Sequence, residues 1–144
     1  MPTAYLLVAA AFALVLLTFA VGLRLLIVRT HEMREKRVHP QAAATSLAMA
    51  AKLQNVQAAD NFKNLFEAPV LFYALVSIAV AANYTPDWLA IGCWAFVVLR
   101  AAHSFIHCTY NRVMHRFAAF GSSFLLLVCL WSAFVFTLLS KSAA

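Results

Sequence analysis

Residues 88–110 read WLAIGCWAFVVLRAAHSFIHCTY. The run is apolar except that Arg100, His103 and His107 interrupt its second half, where a polar group facing lipid is very unfavourable. Such groups need partners inside the protein. Offsets of three and seven residues put all three on one face of a helix, and an earlier apolar segment carries a matching stripe of Asp60, Asn64 and Glu67. Two facing helices with a buried polar site at membrane depth satisfy both stripes, with Glu67 and Arg100 as the expected partners.

Composition sets the class around that site. Of 144 residues, 65% are hydrophobic and 11% charged, with only three glycines, and the mean hydropathy is +0.84. This is the profile of an all-α integral membrane protein. A bilayer core of about 30 Å takes roughly 20 apolar residues per helix, so the chain accommodates a four-transmembrane-helix bundle as one domain over residues 1–144. The spans fall at roughly 5–28, 63–83, 88–110 and 117–139. A helical stretch that Pro40 can start and Asn83 to Pro86 can end is too long for one crossing, at roughly 65 Å against half that apolar thickness. Its Ala-rich first half, with Lys52, Gln54, Asn55 and Gln57, is expected to project into water or bend along the surface. The first span has no basic residue before it and no small-residue cleavage site, so it is expected to stay in the mature protein.

Basic residues set the orientation. Arg29, Arg34, Lys36 and Arg37 crowd the first loop and Arg112 and Arg116 the third, whereas Asn83 to Asp87 has none. Both termini are therefore expected outside. The net charge of +6 reads as topology signal and anionic-lipid contact, not as a nucleic-acid footprint. Tyr84, Trp88 and Tyr110 fit an interfacial aromatic belt. Cys93, Cys108 and Cys129 are odd in number and lie in or beside apolar spans, so they read as small core residues. Pro69 removes a backbone donor inside span two and frees the carbonyl near Leu65, so a bend is expected beside Asn64 and Glu67. Many membrane helices tolerate proline because neighbouring helices satisfy the freed group.

The segments from Asp60 to Pro69 and from Arg100 to His107, with Arg116 beyond, resemble the MAPEG family, the membrane-associated proteins of eicosanoid and glutathione metabolism. The resemblance covers essentially the whole chain and rests on four spans, a basic first loop, Asn-x-x-Glu just before a proline, and Arg-x-x-His in span three. Characterised members include microsomal glutathione transferases, prostaglandin E synthase and leukotriene-C synthase, which are homotrimers holding glutathione between subunits near the cytosolic face. The resemblance therefore implies a homotrimer using glutathione as co-substrate. It puts Lys63 where the family often has arginine, and Asn64, Glu67, Arg100 and His103 on positions that contact glutathione or organise its site. Arg116 matches the arginine that faces the thiol, and Arg29 the basic residue often used near the end of the first helix. His107 stands where several characterised enzymes have tyrosine, and Phe117 follows Arg116 where one has serine. Tyr110, one turn beyond His107, is a candidate hydroxyl.

Chemistry allows the same reading. Glutathione carries two carboxylates and an ammonium, which Arg100, Lys63, Arg116 and Glu67 complement in sign. A thiol with a reference pKa of about 8.5 is mostly protonated at neutral pH, and a guanidinium beside it favours the thiolate. A lipophilic electrophile or hydroperoxide would reach that sulfur through the bilayer, giving thiol addition or peroxide reduction. Plainer roles stand beside these: Glu67 with Arg100 as a structural ion pair, Asn64 as an interhelical hydrogen bond, Arg24 snorkelling to headgroups, and His31, His39 and His115 as solvated or interfacial residues. His103 and His107 beside Cys108 lack the further ligands of a metal site, and no metal is expected. A noncatalytic member binding lipid or a partner in the intersubunit groove is the alternative function. A proton or solute carrier is a third, without the broken-helix repeats usual in transporters. Short loops suit a bacterial inner membrane, although an endoplasmic reticulum protein would look similar.

Overall fold

A computed structural model describes residues 2–142. The chain forms α1 (Thr3–Glu35), a 3-10 turn (Pro40–Ala43), α2 (Ser46–Lys52), α3 (Gln57–Asn64), α4 (Ala68–Ala81), α5 (Asp87–Cys108) and α6 (Val113–Ser142). Four segments are long and apolar enough to cross a membrane: Thr3–Glu35, Gln57–Ala81, Asp87–Cys108 and Val113–Lys141. The second comprises α3 and α4, so it is one crossing made of two helices. Helices 1 and 6 extend beyond the expected spans because their ends carry polar turns that a helix tolerates once it leaves the bilayer. At 33 residues, α1 is about 50 Å long, and its turns beyond Val28 stand outside the apolar layer.

The core is an apolar seam through the half of the bundle away from the basic loops. Leu7, Ala10 and Leu14 of α1 meet Phe72, Leu75 and Ala79 of α4, Leu89, Cys93 and Phe96 of α5, and Leu127, Leu130 and Phe134 of α6. Phe72 and Phe96 stack at 4.8 Å. Gly92 lets α6 come close, since a Cβ there would overlap the Leu130 side chain. At the same end, Thr3 donates to Asp87 at 2.6 Å and so ties the starts of α1 and α5 together. Outward faces stay apolar. The most apolar windows of α1 and α6 bury only 22% of their residues, against 44% for α5, which leaves their outer faces to lipid or further protein. Cys129 lies on such a face and is exposed, in contrast to the core position expected for it, while Cys93 and Cys108 are buried.

Past the break at Ala44 and Thr45 that separates the 3-10 turn from α2, the long helical stretch expected from Pro40 is interrupted at two further places, each with a local cause. After α2, Leu53 is extended (φ −108°, ψ 133°), and the next two amides leave the helix to serve Glu32: Gln54 N–H donates to it at 2.7 Å and Asn55 N–H at 3.1 Å. Lys36 also donates to Glu32 at 2.6 Å. The surface segment is thereby folded back against the end of α1. The second interruption is at residues 65–67, where Glu67 (φ −98°, ψ −97°) leaves helical geometry and Pro69 sits in the first turn of α4, the place where its missing N–H costs nothing. Pro69 thus ends one helix and starts another instead of kinking a continuous one.

Lys36 and the two amides hold the Glu32 carboxyl below its ordinary value. A depressed folded pKa means that the clamp stabilises fully above the ordinary carboxylate range and is lost as pH falls through the lowered value. Glu32→Ala should speed amide exchange at Gln54 and Asn55 by about tenfold or more, the equivalent of about 1.4 kcal/mol for bonds to a charged acceptor. Hydrogen–deuterium exchange of Glu32→Ala and the parent chain side by side would show it. The parent chain should show the same loosening on acidification.

Candidate functional site

The polar cluster lies at the end of the bundle that carries the basic loops, where α3, α5 and the start of α6 meet. Helix α5 is unbroken, so Arg100, His103 and His107 keep the single face expected of their spacing, and all three are buried. Arg100 is fully buried. Its Nη2 donates to the Asn64 carbonyl at 2.7 Å, and its guanidinium lies 5.3 Å from the centre of the Phe120 ring. The carbonyl is available because α3 ends at Asn64, where a helix leaves its last oxygens unpaired and partially negative.

Arg116 organises the other side. Its Nη1 bonds both His107 Nε2 and the Asn111 side-chain oxygen, each at 3.0 Å, while its carbonyl takes His103 Nδ1 at 3.1 Å. Among the described residues, four buried side-chain atoms have no hydrogen-bond partner: Arg100 Nε and Nη1, His103 Nε2 and His107 Nδ1. Buried polar groups are ordinarily paired, so these mark a place where the protein's own groups do not complete the polar network. A pocket of about 340 Å³ opens beside them, lined by Asp60, Asn64, His103, His107 and Arg116, with Val113, Phe117 and Phe120 as its apolar wall.

The other expected site residues fall elsewhere. Lys63 and Arg29 line a second pocket of about 200 Å³ roofed by α2, and Asp60 lines both pockets. Glu67 is exposed and makes no ion pair with Arg100 among the described residues. The stripe of Asp60, Asn64 and Glu67 assumed one continuous helix, whereas α3 ends at Asn64 and gives Arg100 a backbone oxygen, and the Glu67 carboxylate acts on Arg100 by its charge from beyond ion-pair distance. Tyr110 is exposed beyond the end of α5, its hydroxyl 3.2 Å from His115 Nδ1 and not in the pocket. Arg24 does not simply reach for headgroups: its guanidinium donates to the Cys108 carbonyl, at the negative end of the α5 dipole.

Asn61 was not anticipated. It is fully buried, donates to Cys108 Sγ at 3.4 Å and accepts from the Ser104 hydroxyl at 3.3 Å, locking α3 to α5. Its position three residues before Asn64, opposite a Ser and a Cys four apart, was the available signal. Asn61→Ala should lower stability by about 1 kcal/mol, the usual worth of an interhelical polar contact in a membrane, and unfolding in graded denaturing detergent would measure it. Asn111, the anchor of Arg116, stands at φ 47°, a left-handed conformation that asparagine tolerates.

Neither Arg100 nor Arg116 has a carboxylate within ion-pair distance among the described residues. Two guanidiniums without an ion-paired carboxylate, Arg116 lining a partly apolar pocket and Arg100 behind its Asn64 and Phe120 walls, favour an anion that also carries a lipophilic partner. Searches of curated proteins and of solved structures gave no match. The MAPEG family model matches residues 7–136, a segment that contains both pockets and the whole cluster. On that match the chain belongs to the MAPEG family.

Proposed function

We propose that the protein is a glutathione-dependent transferase or peroxidase acting on lipophilic electrophiles or hydroperoxides at the membrane, working as a homotrimer. One observation carries this reading: Arg116 lines the pocket and Arg100 is buried against its Asn64 and Phe120 walls, and neither has a carboxylate within ion-pair distance among the described residues. Membership of a family concerned with glutathione and eicosanoids supports it. The residues present fit the co-substrate, since unmatched donors on Arg100 and His107 call for an accepting anion and Asp60 at the mouth suits an ammonium.

Glutathione supplies a thiol when bound. Arg116, lining the pocket, favours the deprotonated sulfur by its fixed charge, and its anchoring by His107 and Asn111 means little reorganisation is needed. Val113, Phe117 and Phe120 offer the lipophilic substrate an apolar wall. Lys63 and Arg29, in the neighbouring pocket, add positive charge on the side from which a cytosolic anion arrives. With the basic loops inside, both termini face outward, as in a bacterial inner-membrane protein. The outer faces of α1 and α6 supply the apolar surface that a trimer and lipid would cover.

A second reading, a noncatalytic member binding lipid or a partner, draws on the position of Tyr110 outside the pocket. Glutathione turnover with a nitroaryl chloride and with an organic hydroperoxide decides between them, alongside calorimetric titration of glutathione. Product formation above the uncatalysed rate, with saturable binding, is the expected result. A well-folded oligomer that binds no glutathione and turns over neither substrate would overturn the enzyme reading in favour of the second.

A further inference from the structure

Arg116 touches both histidines of the cluster, one through its side chain and one through its main chain. A guanidinium has only N–H groups to offer, so the 3.0 Å contact with His107 requires Nε2 to accept. A neutral His107 then carries its proton on Nδ1. A carbonyl oxygen only accepts, so the 3.1 Å contact between His103 Nδ1 and the Arg116 carbonyl requires Nδ1 to donate. A neutral His103 then has its lone pair on Nε2. The two rings stand edge to face with centres 5.5 Å apart, and the nitrogens left over, His107 Nδ1 and His103 Nε2, are buried and have no hydrogen-bond partner among the described residues.

We infer that Arg116 is a positioning residue that sets where the protons sit on this pair, its side chain holding His107 and its carbonyl holding His103 in the Nδ1–H form. The cluster beside Arg100 then presents one ring N–H and one ring lone pair. The arrangement is directional because Asn111 shares Nη1 at the same distance and fixes the guanidinium from the loop side. It is also asymmetric: changing the Arg116 side chain releases His107 but leaves the carbonyl that holds His103. The consequence for turnover rests on the glutathione reading, under which part of any Arg116 defect passes through His107. The proton positions themselves do not depend on it.

Nitrogen-15 NMR of the full-length, histidine-labelled protein in detergent, at mildly alkaline pH and without glutathione, tests this directly. His103→Gln and His107→Asn assign the signals. The parent should show protonated Nδ1 and unprotonated Nε2 on both rings. In Arg116→Ala, His107 should move towards the Nε2–H form while His103 stays unchanged and so reports an intact fold. Arg116→Lys, which keeps a donor, should restore the parent pattern at His107. If Arg116→Ala does not fold, Arg116→Met, closer in length, is read in the same way. A proton on His107 Nε2 in the parent, or a His107 spectrum indifferent to Arg116→Ala or Arg116→Met, overturns the inference. The expected spectra from a chain that binds no glutathione would leave it standing and remove only the enzyme reading.

Discussion

Arg100→Met should weaken glutathione binding at least about 30-fold, the equivalent of about 2 kcal/mol, while leaving the thermal midpoint within several degrees of the parent chain's. The two halves of this expectation come from the same geometry. Arg100 is fully buried and spends only Nη2, on the Asn64 carbonyl at 2.7 Å, with the Phe120 face as its other partner. Its Nε and Nη1 have nothing to bond, and no carboxylate is within ion-pair distance among the described residues. Replacing buried ionic groups by well-packed apolar side chains is often neutral or gains about 1 to 4 kcal/mol. Stranding the Asn64 carbonyl costs about 1 to 3 kcal/mol, so the two effects are of similar size and largely offset each other. Methionine is unbranched and adaptable enough to fill the space. Calorimetry and a melting curve on one preparation test both halves. Unchanged affinity would remove Arg100 from the ligand site. A midpoint lowered by many degrees would instead mean that another group neutralises it in the assembled protein.

What could be foreseen and what could not divides along the continuity of the helices. The face of Arg100, His103 and His107 was legible because α5 runs unbroken through it, so residue spacing maps directly onto direction. The places of Asn64 and Arg116 beside the pocket were legible through the motif, although it is the Asn64 backbone carbonyl, not its side chain, that meets Arg100. Glu67 was legible only in part, because residues 65–67 leave helical geometry, so a helix wheel drawn through them misplaces it, and it acts on Arg100 by charge without forming an ion pair. The Glu32 clamp was hidden for another reason: its acceptor serves backbone amides 22 and 23 residues away, and amide groups are the same at every position of a sequence. Lys63 and Arg29 share a pocket because α2 folds back over them, a consequence of that clamp. Tyr110 was placed by counting one turn past His107, but α5 ends at Cys108 and the chain turns away.

Arg116→Ala should lower the rate of glutathione-dependent turnover by about 10²- to 10³-fold while changing the apparent affinity for glutathione less than about tenfold. A fixed charge aimed at developing or displaced negative charge is typically worth that much in kcat, because it is paid for in folding and needs no reorganisation during reaction. Binding is less affected because Arg100, unmatched and buried, still draws the anion. The loss has two components: the guanidinium itself, and the release of His107 from the 3.0 Å bond that orients it. His107→Gln, whose side chain keeps an acceptor near Nε2 and therefore keeps Arg116 in place, separates them by retaining the first and losing the ring N–H. If the charge is the larger component, His107→Gln falls by less than Arg116→Ala, and Arg116→Lys recovers part of the rate. Steady-state kinetics over a range of glutathione concentrations reads all three. A rate for Arg116→Ala equal to that of the parent would show that Arg116 organises the cluster without assisting the chemistry, whereas a large rise in KM with kcat preserved would place it in ground-state binding.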